Sequence, residues 1–325
     1  LPILRQGNYV HEIGEGAFFP LKSKPTEALY WTLDPDVCRH CRSRIFSVCH
    51  GGRLPDGDRR MRLLLAADDS ESARHPTALA IELARRLGVA LEVVAVRRPD
   101  EDTDRYGERL SAVQRAAIAA DVPTEFHRRD GKDPATEIHA VARQSNAQLL
   151  VIGRRTLPGS ATGLGPVAQR LIGDAPCGVL LVPNAPKPWT HRILVAFDGS
   201  RAALAAVEIA VQLAKPLRLP LTLISITDPQ GRLPQAIADE AESALAGARL
   251  EGVDAELLTR TGRIAESILA VAADTSADLI VLYRHTRGSL GRTLLGSVSD
   301  QILQRSEIPV LLCGGVAQRV GSETG

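Results

Sequence analysis

The chain has 325 residues, of which 44% are hydrophobic and 3% aromatic, so it is long enough for two domains that each bury a core. Its 39 lysines and arginines nearly balance its 38 aspartates and glutamates, which argues against electrostatic attraction to nucleic acid or anionic lipid. Without an apolar run of about 18 residues or a secretory signal, it is expected to be cytoplasmic and to lack a membrane-spanning segment.

The first sixty residues differ from the rest and end in a linker rich in glycine, proline and charge, "GGRLPDGDRR". Three of the five cysteines, Cys38, Cys41 and Cys49, lie in this segment with histidines nearby. One Cys-x-x-Cys pair suits zinc, but the second pair of a zinc site is missing. We therefore expect reduced thiols and no metal, and keep the three cysteines as the alternative metal ligands.

Short elements of this segment, Ile-Gly, Phe-Pro and Glu-Ala-Leu, resemble the end of the cytoplasmic STAS-like tail of sulfate-permease-type transporters. The resemblance implies that residues 1–60 are the remnant of a transporter tail. The chain would then be the carboxyl-terminal part of a transporter whose tail carries the domains that follow.

The remaining sequence contains a repeat, visible as three pairs of strand-like segments that recur about 130 residues apart. Three matches in register predict an internal duplication, with domains at residues 61–184 and 191–314. The pairs are "RLLLAADDS" and "RILVAFDGS", "AQLLVIG" and "ADLIVLY", and "CGVLLVP" and "IPVLLC".

Within each copy, apolar strands alternate with alanine-rich helical segments such as "TALAIELARRLG". This alternation requires parallel strands with right-handed crossovers. We therefore predict an α/β fold of two tandem doubly wound parallel sheets, which is Rossmann-like. The last strands of the two copies can pair edge to edge, giving a pseudo-dimer within the chain.

Ligands of doubly wound sheets bind beyond the carboxyl ends of the strands, where the strand order reverses. Asp68 and Asp198 come directly after the first strand of each copy. A carboxylate there can accept hydrogen bonds from an adenine or a ribose. It can equally cap the following helix, so both interpretations stay open.

The last crossover of the second copy, "YRHTRGSLGRTLLGSVSDQ", is a basic loop that enters a helix near Gly296 and Ser297. Free N–H groups at a helix start suit a phosphate. Arg284 and Arg287 add donors, as do His285 and Arg292. The alternative is that Gly296 and Ser297 only cap the helix and the arginines are solvated.

Together, these segments resemble the universal stress protein family over residues 61–184 and 191–314. The family's domain has five parallel strands in an adenine nucleotide α-hydrolase-like arrangement, and one branch binds ATP through a loop of the form Gly-x2-Gly-x9-Gly-Ser/Thr. In the second copy this loop corresponds to Tyr283, Thr286, Gly296 and Ser297, so only the final Gly-Ser remains.

The first copy keeps Gly153 and Gly165 but has Thr156 and Pro166 at the other two positions. Bulk at Tyr283 and the missing N–H of Pro166 both weaken a phosphate site. The resemblance places Ala196 and Ile226 beside the adenine of the second copy, and Asp68 and Val96 at the equivalent places in the first. We expect the second copy to hold the working site.

The resulting prediction is a stress-response regulatory module that binds adenine nucleotide, ATP in the family's case, in the second domain. The alternative is a nucleotide-free interaction or dimerisation module, able to form homo-dimers or to regulate a sulfate-permease-type transporter in cis. The chain has neither a nucleophilic serine elbow nor paired carboxylates with an orienting base, so no catalytic residue and no enzyme is expected beyond weak ATP hydrolysis. An ATP-hydrolysing or adenylating enzyme is the less favoured interpretation.

Overall fold

A computed structural model describes the backbone of residues 3–6 and 9–12, and residues 61–68, 73–154, 164–184, 189–284 and 296–314. The chain divides into two compact units, Leu1–Asp56 and Gly57–Gly325. In the first unit, strands β1 (Ile3–Gln6) and β2 (Tyr9–Glu12) form an antiparallel pair. The rest of the cysteine-containing segment, with Cys38, Cys41 and Cys49, lies outside the described residues.

The second unit is built on one ten-stranded sheet in the order β10-β9-β8-β11-β12-β7-β6-β3-β4-β5. Within each half the order is third, second, first, fourth and fifth strand, and all pairs are parallel. The strands are β3 (Leu63–Ala67), β4 (Leu91–Arg97), β5 (Thr124–Asp130), β6 (Leu149–Gly153), β7 (Gly178–Val182), β8 (Ile193–Ala196), β9 (Leu221–Thr227), β10 (Ala255–Thr261), β11 (Leu279–Tyr283) and β12 (Val310–Cys313).

Helices cover both faces of this sheet, because its central strands are apolar on both sides and must be buried on both. One core holds side chains from α1, α2, α5 and α6, and the other holds side chains from α3, α4, α7 and α8. The helices are α1 (Arg74–Leu87), α2 (Thr103–Ala119), α3 (Pro134–Gln144), α4 (Pro166–Asp174), α5 (Arg201–Leu217), α6 (Gln235–Leu250), α7 (Ile264–Asp274) and α8 (Ser297–Arg305).

The two halves join where β7 and β12 pair antiparallel, with Leu180 opposite Leu311. This is the predicted edge-to-edge pairing of the last strands, and it is confirmed. Arg86 on α1 adds a second link, since its guanidinium donates to the carbonyl oxygens of Trp189 at 2.6 Å and Leu217 at 2.8 Å. The predicted fold of two tandem doubly wound domains is therefore confirmed, and the strands of both halves form one continuous sheet.

No helix in the described part of the chain is long and apolar enough to cross a membrane. The predicted domain limits, 1–60, 61–184 and 191–314, stay predictions, because residues 57–325 form one compact unit.

Candidate functional site

A cavity of about 380 Å³ opens at the carboxyl ends of β8, β9 and β11. The strand order reverses between β8 and β11, which is where doubly wound sheets bind ligands. Six of the predicted site residues line it, and Arg284 is one of them. The lining residues are Ile172, Gly173, Ala196, Phe197, Asp198, Ile224, Ser225, Ile226, Leu233, Ile237, Ile264, Ile268, Leu282, Tyr283, Arg284, Gly296, Ser297, Val298 and Ser299.

Most of the cavity wall is aliphatic, supplied by isoleucines and leucines of β9, α6, α7 and β11. Its polar side chains lie mainly at the strand tips and at the start of α8. The hydroxyl of Ser225 is already engaged, since it donates to the carbonyl oxygen of Phe197 at 2.8 Å. An apolar cleft with few polar groups at one end suits a flat heterocycle that carries a polar substituent.

Asp198 is exposed at the tip of β8, where it shapes the turn into α5. Its Oδ1 accepts the N–H of Ser200 at 2.9 Å, while the Ser200 Oγ accepts the N–H of Ala203 at 3.1 Å. Ser200, and not Asp198, is therefore the helix N-cap. Gly199 between them has φ +76°, and a Cβ there would lie 3.3 Å from the Ile237 backbone, so only glycine fits this turn well.

Tyr283 occupies the end of β11, at the position of the family's first loop glycine. Its hydroxyl donates to the carboxylate of Asp198 and accepts from the Ser200 hydroxyl. Burial is the main reason that the pKa of Tyr283 is raised, and the bond to Asp198 raises it further. Tyr283 thus occupies part of the acceptor capacity of the Asp198 carboxylate at the rim of the cavity.

Helix α8 begins at the cavity with Gly296 as its N-cap in an extended conformation. Gly296 has no side chain that could cap this end, and among the described residues no capping bond to it is seen. The first N–H groups of a helix have no intrahelical partners, and Gly296 and Ser297 are both exposed. Asp300 lies in the same first turn. Burial raises the pKa of its carboxyl, and its Oδ1 is buried with no hydrogen-bond partner among the residues that the structure describes.

The hydrogen-bond partners of Arg284 differ from the prediction that it donates to a ligand phosphate. Its guanidinium is buried and donates to carbonyl oxygens at and just after the end of α4, in the other half of the molecule. Burial lowers the pKa of this guanidinium. The acceptors are Ile172, Gly173 at 3.3 Å, Ala175 at 3.0 Å and Cys177 at 3.4 Å.

In the first half, Asp68 and Gly153 lie side by side at the equivalent strand tips. A Cβ on Gly153 would be 3.8 Å from the Asp68 Oδ2, so the fourth strand of this half ends close to the Asp68 carboxylate. Val96 is buried at the end of β4, and its carbonyl oxygen accepts from Arg109 at 3.3 Å. Gly165 is the N-cap of α4, followed by a proline that has no N–H to offer.

The family of the chain follows from the sequence of both halves. The model of the Universal stress protein family matches residues 59–183 and again residues 190–314. The chain belongs to the universal stress protein family. The match begins after the segment that resembles a transporter tail, so that resemblance gains no support from it.

Curated universal stress proteins are similar to this chain at moderate identity. One from Synechocystis is 29% identical over 169 residues, which is 50% of this chain and 56% of that protein. The chain thus spans little more than half the length of this relative. Another, from Mycobacterium bovis, is 24% identical over 290 residues, which is 77% of this chain and 98% of that protein.

A solved universal stress protein from Archaeoglobus fulgidus has the same fold, with a TM-score of 0.63 at 23% identity over 79% of this chain and 99% of that one. Smaller members align less fully. A universal stress protein in complex with cAMP aligns with 39% of this chain and 98% of its own at 26% identity and a TM-score of 0.34. One from Archaeoglobus fulgidus in complex with dAMP aligns with 39% and 99% at 21% identity and 0.32.

Several predicted or suggested site residues of this universal stress protein lie outside the described residues. Arg287, His285 and Arg292 belong to the loop before α8, and Cys38, Cys41 and Cys49 to the first sixty residues. Across the described ranges, no group of three or more His, Cys, Asp or Glu side chains is placed to hold a metal.

The sequence did not reveal the aliphatic wall from α6 and α7, or the contribution of Ile172 and Gly173 from the first half. Those residues sit far from the strand tips in sequence, and their apolar character is common to every helix of the fold. One signal was available for the link between the halves. Arg154 and Arg284 follow the fourth strands at the repeat offset of 130 residues.

Proposed function

We propose that the chain is a regulatory universal stress protein module whose second domain binds an adenine nucleotide, with ATP as the family's nucleotide. The observation that carries this proposal is the cavity at the switch point of the second half. It has Asp198 at one rim and the start of α8, where the N-cap is a glycine, at the other. The apolar cavity suits a base, the carboxylate of Asp198 suits a ribose, and the start of α8 suits a phosphate.

The aliphatic wall would contact the base, with Ala196 and Ile226 at the strand ends, and Asp198 would accept from the nucleoside. The N–H groups of Gly296 and Ser297 would donate hydrogen bonds to a phosphate, which the positive end of the α8 dipole would also attract. Arg287 remains a proposed hydrogen-bond donor to this phosphate. In the first half, Asp68, Val96, Gly153 and Gly165 form the equivalent rim, which we propose serves as the structural partner.

The test is calorimetric titration of the chain with ATP, AMP and cAMP, comparing the wild type with Gly296→Asp and Gly296→Asn. A side chain fits at position 296 as far as the described residues are concerned, because a Cβ there meets none of their atoms within 4 Å. Both residues are good N-caps, so both variants should keep the helix, but only aspartate places a negative charge against the phosphate. We expect Gly296→Asp to weaken binding by about tenfold, which is 1.4 kcal/mol, and Gly296→Asn to change it little.

A nucleotide-free interaction module is the second candidate, and the bond from Tyr283 to Asp198 favours it. That bond occupies the carboxylate which the nucleoside would need. No heat with any of the three nucleotides would favour this candidate and reject nucleotide sensing. Binding with steady phosphate release from ATP would instead indicate an enzyme.

A further inference from the structure

The cavity of the second half is not built by that half alone. Ile172 and Gly173, which belong to the last turn of α4 in the first half, are part of its lining. Ile172 is fully buried, and Gly173 is half-buried beside it. One wall of the cavity therefore depends on how the two halves are held together.

Arg284 forms hydrogen bonds with the residues of this wall. The carbonyl oxygens in the last turn of a helix have no intrahelical donor and carry the negative end of the helix dipole. Arg284 donates to two of them, at Ile172 and Gly173, and then to Ala175 and Cys177 beyond the helix. A planar guanidinium can reach several carbonyls at once, whereas a lysine presents a single point charge.

The surroundings fix the position of Arg284 as well. Its own N–H donates to the carbonyl oxygen of Cys313 at 3.0 Å, which anchors the backbone against β12. Gly314 leaves room for the guanidinium, since a Cβ at that position would collide with the Arg284 Nη2. Any side chain at position 314 would have to displace the guanidinium.

We infer that the cavity is a composite site, in which the first domain supplies a wall to the second, and that Arg284 is the positioning residue for this wall. The inference rests on the proposed adenine nucleotide function and assigns the first domain a part in it. A nucleotide bound in the second domain would then order residues 172–175 of the first. Nucleotide binding in the second domain would thereby affect the first domain through the interface between them.

The chain offers a matched control. Arg154 makes the reciprocal contact with the carboxyl end of α8, at Leu303 and Ser306. It is not among the described residues that line the cavity. Arg284→Lys and Arg154→Lys therefore remove similar hydrogen bonds between the domains. Only the first of them loosens the wall made by Ile172 and Gly173.

The experiment measures AMP and ATP affinity of the full chain by calorimetry, together with amide hydrogen exchange at residues 171–177. We expect Arg284→Lys to weaken binding by about tenfold and Arg154→Lys to change it by less than about twofold. Bound AMP should slow exchange at residues 172–175 in the wild type. Gly314→Ala, which keeps the arginine but displaces its guanidinium, should weaken binding in the same direction as Arg284→Lys.

Equal affinities in wild type, Arg284→Lys and Gly314→Ala, with no nucleotide-dependent protection at residues 172–175, would overturn the composite site and leave nucleotide binding intact. If the wild type binds neither nucleotide, the proposed function fails instead. The positioning role of Arg284 is then decided without nucleotide, by whether Arg284→Lys speeds exchange at residues 172–175. Unchanged exchange there would refute it.

Discussion

Arg154 and Arg284 stand at equivalent positions in the two domains, and each donates to main-chain carbonyls at the end of the other domain's last helix. Arg154 bonds to Leu303 at 2.9 Å and to Ser306. Burial lowers the pKa of both guanidinium groups, so each charge depends on its carbonyl partners in place of water. The exchange is reciprocal, as a two-fold relation between the domains would give.

Replacing Arg154 with methionine should therefore destabilise the protein. The substitution keeps much of the side-chain bulk but leaves the carbonyl oxygens of Leu303 and Ser306 without this donor, which should lower the free energy of unfolding by about 1–3 kcal/mol. Urea unfolding followed by circular dichroism measures the change. The control is Arg85→Met, because Arg85 is exposed and pairs only with Glu82 among the contacts described, so this substitution should change the free energy of unfolding much less. Equal effects of the two variants would contradict the prediction.

The strands and the duplication were predictable from sequence, because buried parallel strands are continuous apolar runs that can be matched between copies. The role of Arg284 was not. A basic residue after a strand, close to a glycine-bearing loop, has the sequence features of a phosphate ligand. Its actual partners are backbone carbonyls more than 100 residues away, and a carbonyl leaves no mark in a sequence.

The candidate site likewise contains some residues that could be predicted from the sequence and others that could not. Asp198 and Gly296 were found because strand tips and helix starts have sequence signals, and both line the cavity. The aliphatic wall at Ile237 and Ile268 was missed, since these residues differ in no visible way from others that face a helix–sheet core. The bond between Tyr283 and Asp198 could not be foreseen either, because the sequence shows only that tyrosine replaces a glycine.

Tyr283→Phe should raise the affinity for AMP and ATP. Removing the hydroxyl takes away the tyrosine's hydrogen bond to the Asp198 carboxylate, while the ring keeps its place and the bond from the Ser200 N–H remains. A ligand then no longer competes with the tyrosine for that carboxylate. Replacing one hydrogen bond of this kind corresponds to about a threefold to tenfold gain. Calorimetry of the two proteins measures it, with Tyr283→Phe/Asp198→Asn as the control that should abolish the gain. Weaker binding by Tyr283→Phe would show that the hydroxyl contacts the ligand.

Cys177 and Cys313 should resist alkylation in the folded protein. Burial raises the pKa of Cys177 to about 11 and that of Cys313 to about 12, so almost no reactive thiolate exists at pH 7.5. Iodoacetamide treatment followed by peptide mass spectrometry should find both cysteines unmodified until denaturant is added. Labelling of either one at the rate of a free thiol in the same buffer would contradict their burial.

His139 should make the protein less stable in mild acid. It is buried on α3, with its Nε2 3.5 Å from the carbonyl oxygen of Leu171, and burial lowers its pKa. The bond to the Leu171 carbonyl opposes this effect, as does Asp174, whereas Arg143 and Arg170 also lower the pKa. Because an unfolded histidine titrates near 6.5, the unfolded chain binds more protons below that pH, and stability falls as pH drops through about 6.5 toward the folded pKa. The equivalent residue of the second domain is Leu269.

His139→Leu should therefore be tolerated and should flatten the dependence of stability on pH. The volumes of the two side chains are similar, so the cost at pH 7.5 should stay within about 1.5 kcal/mol. Urea unfolding at pH 7.5 and pH 5.5 gives the free energy of unfolding at each pH. The loss between the two should be smaller in His139→Leu than in the wild type, because the variant removes the histidine's contribution and leaves every carboxylate in place. An unchanged loss would mean that His139 takes up its proton as readily in the folded protein as in the unfolded chain.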